Sequence, residues 1–165
     1  MKRLALALTV LGIGMPGFAQ TPPGKEDLLG SFTDWRAMRY DDGGLVCSMW
    51  VDDKARTPGT HAFVAHRVQQ KSFHEVTVQL GTPLKSGSTI QGIVGSQRFK
   101  LYVDGDSAWN NTAKEDLRMV RAMRAGAKLE VRATASDGRS ISRSFSLKGF
   151  TAAHKALNKA CKVRY

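Results

Sequence analysis

Four histidines, His61, His66, His74 and His154, are the first side chains in this sequence able to ligate a metal or carry a proton near neutral pH. His74-Glu75 has no second histidine at the zincin spacing. It also lies in a run patterned as a strand, whereas that motif needs a helix to bring two imidazoles onto one face. His61 and His66 are five residues apart, an odd separation that strand alternation sends to opposite faces. All four therefore read as surface or boundary histidines, and no metal site is expected. Asp104-Gly105-Asp106 lacks the regular oxygen ligands and the bidentate glutamate of a calcium loop, so it reads as a polar turn. There is no GxSxG elbow and no SxxK, and Ser140, Ser142, Ser144 and Ser146 repeat at the period of a strand's solvent face. With no convergent nucleophile, base or ligand set, no catalytic residue and no cofactor is expected.

Basic chemistry is better represented. Arg118, Arg121 and Arg124 follow one another at three-residue spacing in a segment patterned as a helix. Guanidinium groups so placed can grip phosphate or carboxylate in bidentate fashion, which makes them the candidate anion-binding residues. The competing reading is a solvated helix face. Of the three tryptophans, Trp35 and Trp50 fall in strand-like runs and suit a core. Trp109 falls in a loop, where its ring could stack on a sugar. Asn110-Asn111-Thr112 matches a glycosylation sequon, but Thr112 has a simpler role as a helix cap.

The elements that must position these groups begin after a leader. Lys2 and Arg3 precede an apolar run from Leu4 to Ile13, and Gly17-Phe18-Ala19 supplies small residues where a signal peptidase cuts. Residues 1–19 are expected to be a secretory signal peptide, since the apolar run is shorter than the ~20 residues a spanning helix needs. Its removal leaves a single domain and lowers the formal charge from +11 to +9, because Lys2 and Arg3 leave with it. A field of that size attracts anionic surfaces. For an exported chain these are lipopolysaccharide, acidic glycan or phospholipid, and nucleic acid is not an expected partner. Cys47 and Cys161 are the only thiols, and in an oxidising compartment one disulfide is expected, with two buried free thiols as the alternative. Their separation excludes a CxxC redox motif.

Residues 20–30, with Pro22, Pro23 and Gly24, read as a mobile lead-in, and residues 31–165 as the domain. Eight strands are expected: 31–40, 45–51, 62–68, 74–80, 88–94, 97–103, 128–136 and 140–147. Most are bounded by Gly, Pro or Asp turn signals and show two-residue alternation. Thr112 with Glu115 fits a capping box for a helix from Ala113 to Arg124, and Gly126 is placed to end it. Lys148-Gly149 turns the last strand into a short helix that starts near Phe150 and delivers Cys161. The pattern predicts an all-β antiparallel sandwich or barrel with one inserted helix and one C-terminal helix.

Several stretches resemble the invasion-associated locus B family of exported proteins from Gram-negative bacteria. They are FTDW at 32–35, VCSMW at 46–50, EVTVQLGTPLKSGS at 75–88 and FKLYVDGDSAW at 99–109. RMVRAMRAGAKLEVRATASDGRS at 118–140 and SFSLKGFTAAHKAL at 144–157 continue the likeness, which covers nearly all of the mature chain. The resemblance implies an immunoglobulin-like β-sandwich in the periplasm or at the outer membrane, no catalytic site, and a role in host interaction. Many members carry a cysteine a few residues after the first-strand tryptophan. Met38 and Arg39 stand in that region here, so the pairing rests on Cys47 and Cys161 alone.

Three functions compete on this reading. The first is a non-enzymatic envelope protein that binds an anionic envelope or host-surface component. The second is a structural or accessory subunit that binds another envelope protein. The third, most remote, is a hydrolase of envelope polymers. The oligomeric state is left open by the sequence.

Overall fold

The computed structural model describes residues 26–164. The expected signal peptide and residues 20–25 of the lead-in lie outside the described residues. From Asp27 onward, the stretch expected as lead-in is already strand.

Ten strands and two helices follow in order: β1 (Asp27–Phe32), β2 (Trp35–Asp41), β3 (Leu45–Asp52), β4 (Thr60–Arg67), β5 (Ser72–Leu80), β6 (Thr89–Val94), β7 (Gln97–Asp104), β8 (Ser107–Trp109), α1 (Ala113–Ala125), β9 (Lys128–Thr134), β10 (Ser140–Ser146) and α2 (Phe150–Ala160). All the pairings are antiparallel, in the order β1-β2-β3-β4-β5-β8-β7-β6-β9-β10. The result is an antiparallel β-sandwich in which one hydrogen-bonded order runs through both halves. Just past β3, Asp53 bridges to Phe145 of β10 and the Lys54 amide donates to the Ser144 carbonyl at 2.9 Å, without closing a barrel.

Two strands exceed the eight expected. The run from Ser31 to Tyr40 is broken at Thr33-Asp34, where Thr33 adopts φ 57° and reverses the chain into a β1–β2 hairpin. A β-branched residue at positive φ is unfavourable and is no sequence signal for a turn. The other is β8, only three residues long, within the expected loop 104–111. It pairs Trp109 with Thr77 of β5 on one side and Tyr102 of β7 on the other, and so joins the two halves of the sheet.

Alternation sets the core. Trp35 and Ala37, Cys47, Met49 and Val51, Ala62 and Val64, and Val76, Val78 and Leu80 all point inward. They meet Phe99 and Leu101, Leu129 and Val131, and Phe145 in one cluster that also takes the buried faces of both helices. Trp35 satisfies its indole N–H by donating to the Ser146 carbonyl at 2.9 Å and sits edge-on to Phe150, 4.9 Å between ring centroids.

The helix α1 begins as its sequence predicts. Thr112 Oγ1 accepts the Glu115 amide at 3.2 Å, although the Glu115 carboxylate returns to the Thr112 hydroxyl instead of the cap amide. Asp116, in the first turn, is buried. Its Oδ1 accepts the Val76 amide at 3.0 Å, one residue past the end of the β5–β8 pairing, and Asn110 Nδ2 at 2.9 Å. Burial raises the Asp116 pKa, partly opposed by these two donors. One carboxylate thus pins α1 to β5. At the other end of the chain, Cys161 closes a disulfide with Cys47, with Cα atoms 6.1 Å apart.

Candidate functional site

The three arginines share α1 but not one environment. Arg118 is exposed yet sits over Phe99, its guanidinium carbon 4.1 Å from the ring centroid, and donates to the Arg98 carbonyl at 3.3 Å. Arg121 and Arg124 line an open hollow of about 250 Å³ with Ala125 and Thr151, where α1 meets the start of α2. Arg124 is half-buried, and Thr151 Oγ1 donates to its carbonyl at 3.4 Å. The helix therefore offers a two-arginine hollow and, one turn earlier, a stacked arginine beside Arg98. Among the described residues neither Arg118 nor Arg121 has a carboxylate partner. Elsewhere Arg36, Arg39, Arg67, Arg132, Arg139 and Arg143 all lie within 4.0 Å of an acidic group.

The tryptophans divide differently from the expectation. Trp35 is core, but Trp50 is half-exposed on the outer face of β3, and Trp109 in β8 is half-buried. Trp50 faces Arg36 on β2 and Phe63 on β4, with the Arg36 guanidinium 5.6 Å from the ring centroid. Met38, Tyr40, Ser48, Trp50, His61 and Phe63 border a shallow hollow of about 330 Å³ on this outer face. Asp52 ties its rim, accepting from Arg36 Nη2 at 3.0 Å and pairing with His61 Nδ1 at 2.9 Å.

The reading of all four histidines as surface or boundary residues fails for three of them. His66, His74 and His154 are 0%, 7% and 1% exposed and come together from β4, β5 and α2. One ring nitrogen from each lies within 4.8 Å of the other two. His66 Nε2 bonds to Asn158 Oδ1 at 2.7 Å, and its Nδ1 accepts the His74 amide at 3.0 Å. His74 Nδ1 and His154 Nε2 are 3.1 Å apart, one donating to the other. Burial disfavours the charged imidazolium at all three and is the main cause that lowers their pKa values. For His74, His66 adds charge repulsion and the value falls to about 4. For His154, repulsion from His74, His66 and Arg124 adds, and the value falls to about 3. At His66 the bonds to Asn158 and to the Ala65 backbone oppose the burial.

A signal for this cluster exists in the sequence. His66 continues the inward series Ala62, Val64 at period two, and His74 begins the series Val76, Val78, Leu80. His154 lies four residues after Phe150 and three before Leu157, on the buried stripe of its helix. Comparing the histidines with each other, instead of with their apolar neighbours, hides this. His61, on the outer face, is the one that fits the original reading.

Comparison with known proteins places the fold in context. The crystal structure of invasion associated protein B from Bartonella henselae superposes with a TM-score of 0.62 over 81% of this chain and 97% of that one, at 14% identity. The sandwich is therefore shared while most side chains differ. No curated protein matches significantly in sequence. The sequence profile of the invasion associated locus B proteins matches residues 39–158, from the middle of β2 to the last turns of α2. With the profile and the fold in agreement, the chain belongs to the invasion associated locus B family.

Proposed function

We propose that this is an exported, non-enzymatic protein of the bacterial envelope that binds an anionic component of the envelope or of a host surface. Lipopolysaccharide, acidic glycan and anionic phospholipid share the chemistry it would recognise. The observation that carries this reading is the pair Arg118 and Arg121, held on an ordered helix without carboxylate partners in a chain of +11 formal charge. Six arginines elsewhere lie within 4.0 Å of an acidic group, whereas Arg118 and Arg121 are among the cations whose charge stays available to an anion. A fixed guanidinium loses less freedom on gripping a phosphate than a free one. Membership of a family named for invasion supports a place at the host interface. No helix among the described residues is long and apolar enough to cross a membrane, in keeping with a peripheral attachment.

The test is co-sedimentation of the mature protein with vesicles of anionic or of neutral lipid, and with lipopolysaccharide, across a salt series. Binding should require negative charge, weaken as salt screens it, and fall when Arg118, Arg121 and Arg124 are replaced together by Ala. Salt-insensitive binding, or full binding by the triple variant, would overturn the assignment.

One observation favours a second reading, an accessory subunit that docks on another envelope protein. Met38, Tyr40, Trp50 and Phe63 leave an aromatic-rich hollow half-exposed on β2–β4, and such residues are enriched in protein interfaces. Cross-linking in native envelope separates the two. A single stoichiometric protein captured through this face supports the second reading, and recovery of lipid or glycan alone supports the first.

A further inference from the structure

We propose that His66, His74 and His154 form a binding site for one divalent transition metal ion of the zinc class. Three imidazoles from three elements converge with ring nitrogens within 4.8 Å, inside the core. Imidazole is the ligand such ions share, and three histidines with an open fourth position form an established zinc ligand set. With metal–nitrogen bonds of ~2.0–2.1 Å at tetrahedral angles, ligand nitrogens sit ~3.3 Å apart. His74 Nδ1 and His154 Nε2, at 3.1 Å, already have nearly that spacing.

The surroundings are organised for ligation. Asn158 Oδ1 holds the proton of His66 on Nε2 and leaves Nδ1 as its lone-pair nitrogen, the supporting contact that metal-binding histidines use to fix tautomer and orientation. The β4–β5 pairing slips around His66, between Ala65 and Arg67, and His74 sits at φ 61° across from it. Bulges of this kind re-aim side chains. A residue in the left-handed region costs energy, and such strain clusters where geometry serves a ligand. Metal entry rearranges protons already present and gives up one backbone hydrogen bond, offset by the new metal–nitrogen bonds. The hydrogen shared by His74 and His154 moves to the far nitrogen of whichever ring carries it, and Nδ1 of His66 exchanges the His74 amide for the ion. All three rings are neutral near pH 7, the state in which imidazole ligates. The ion would link α2 to β4 and β5 beside the Cys47–Cys161 bond.

The experiment uses the mature, disulfide-intact protein treated with chelator and then titrated with Co²⁺ or Zn²⁺ alone. One equivalent of Co²⁺ should develop the visible absorption of a low-coordinate nitrogen site, and Zn²⁺ should displace it and raise the Tm. X-ray absorption of the zinc form should show three imidazoles in the first shell. His154→Gln and His74→Gln should each weaken binding at least tenfold, Asn158→Ala about 10–100-fold, and His61→Gln should change nothing. Absence of saturable one-to-one binding, a first shell with fewer than three imidazoles, or loss of binding with His61→Gln would overturn the proposal. Should a core variant fail to fold, the absorption measurement on the unaltered protein decides alone.

Discussion

Cys47 stands directly opposite His66 in the β3–β4 ladder, so the disulfide half-cystine and a buried imidazole project side by side from the same face of the sheet. Both reach α2, Cys47 through its bond to Cys161 and His66 through Asn158. The C-terminal helix is therefore fastened by a covalent bond at Cys161 and by a polar cluster at Asn158 and His154, three and seven residues earlier. Arg124 is near enough to His154 to disfavour its charged form, so anion binding is best separated from stability at Arg121.

Loss of the covalent link should cost the most. The bond spans a sequence separation of 114 residues, and in the chain-entropy model a loop near that length contributes ~4–5 kcal/mol. Cys161→Ser should lower the Tm by on the order of 10 °C, and reductant should do the same to the parent. Calorimetry with and without dithiothreitol reads both, and a Cys161→Ser variant that melts like the parent would exclude the contribution.

In chelator-treated protein, stability should fall as pH drops below ~6.5, the value for an unperturbed histidine. The folded values are depressed, to about 4 for His74 and about 3 for His154, with His66 also lowered. Between those values and the ordinary one the unfolded chain binds more protons than the folded chain, so stability rises with pH through that window and is complete above it. Asp116 has the opposite sign, because its raised value means that it takes up a proton more readily when folded. It opposes the histidines only near the ordinary carboxylate range. Urea titrations at pH 7.5, 6 and 5 should show the decline, and His154→Leu should flatten it. An equal slope in the variant would place the pH dependence elsewhere.

The parts of the fold legible in the sequence were those with local causes. Val76, Val78 and Leu80 announce a strand by alternation, and Thr112 with Glu115 announces α1 by capping. The two cysteines announce their bond by being alone. What stayed hidden depends on contacts distant in sequence. Thr33 turns the chain at positive φ because β1 must lie against both β2 and α2, and β8 exists because β5 and β7 each offer it an edge. His66 and His154 meet across 88 positions, and no window along the chain contains both. The arginine spacing was visible, but it could not tell that Arg118 would stack on Phe99 while Arg121 stayed unpaired.

That difference between the two arginines predicts a division of effects. The guanidinium of Arg118 sits over the face of Phe99, and a cation so placed contributes ~0.5–1 kcal/mol. Arg118→Ala should therefore lower both stability and anion binding. Arg121→Ala breaks no hydrogen bond or ion pair among the described residues, so it should lower binding with a stability change within ~0.5 kcal/mol. Thermal melts beside vesicle sedimentation give both readouts, and equal destabilisation by the two changes would contradict the geometry.

The passage from β10 to α2 depends on Gly149, and Gly149→Ala should be among the most damaging single changes. Gly149 has φ 87°, a region open to glycine and strained for alanine. Space is lacking as well as conformational freedom. A methyl group there would overlap the carbonyl oxygen of Phe32, backbone at the end of β1 with no room to yield. Relief requires α2 to move off β1 and β2, which would part Phe150 from Trp35 and strain the Cys161 link. Gly138, at a similar φ of 88°, has open space around its Cα, so Gly138→Ala is a control for backbone conformation without the clash. The control should cost ~1–2 kcal/mol and Gly149→Ala at least ~3 kcal/mol. Denaturant unfolding of the pair measures the difference, and equal costs would mean that the Phe32 contact yields after all.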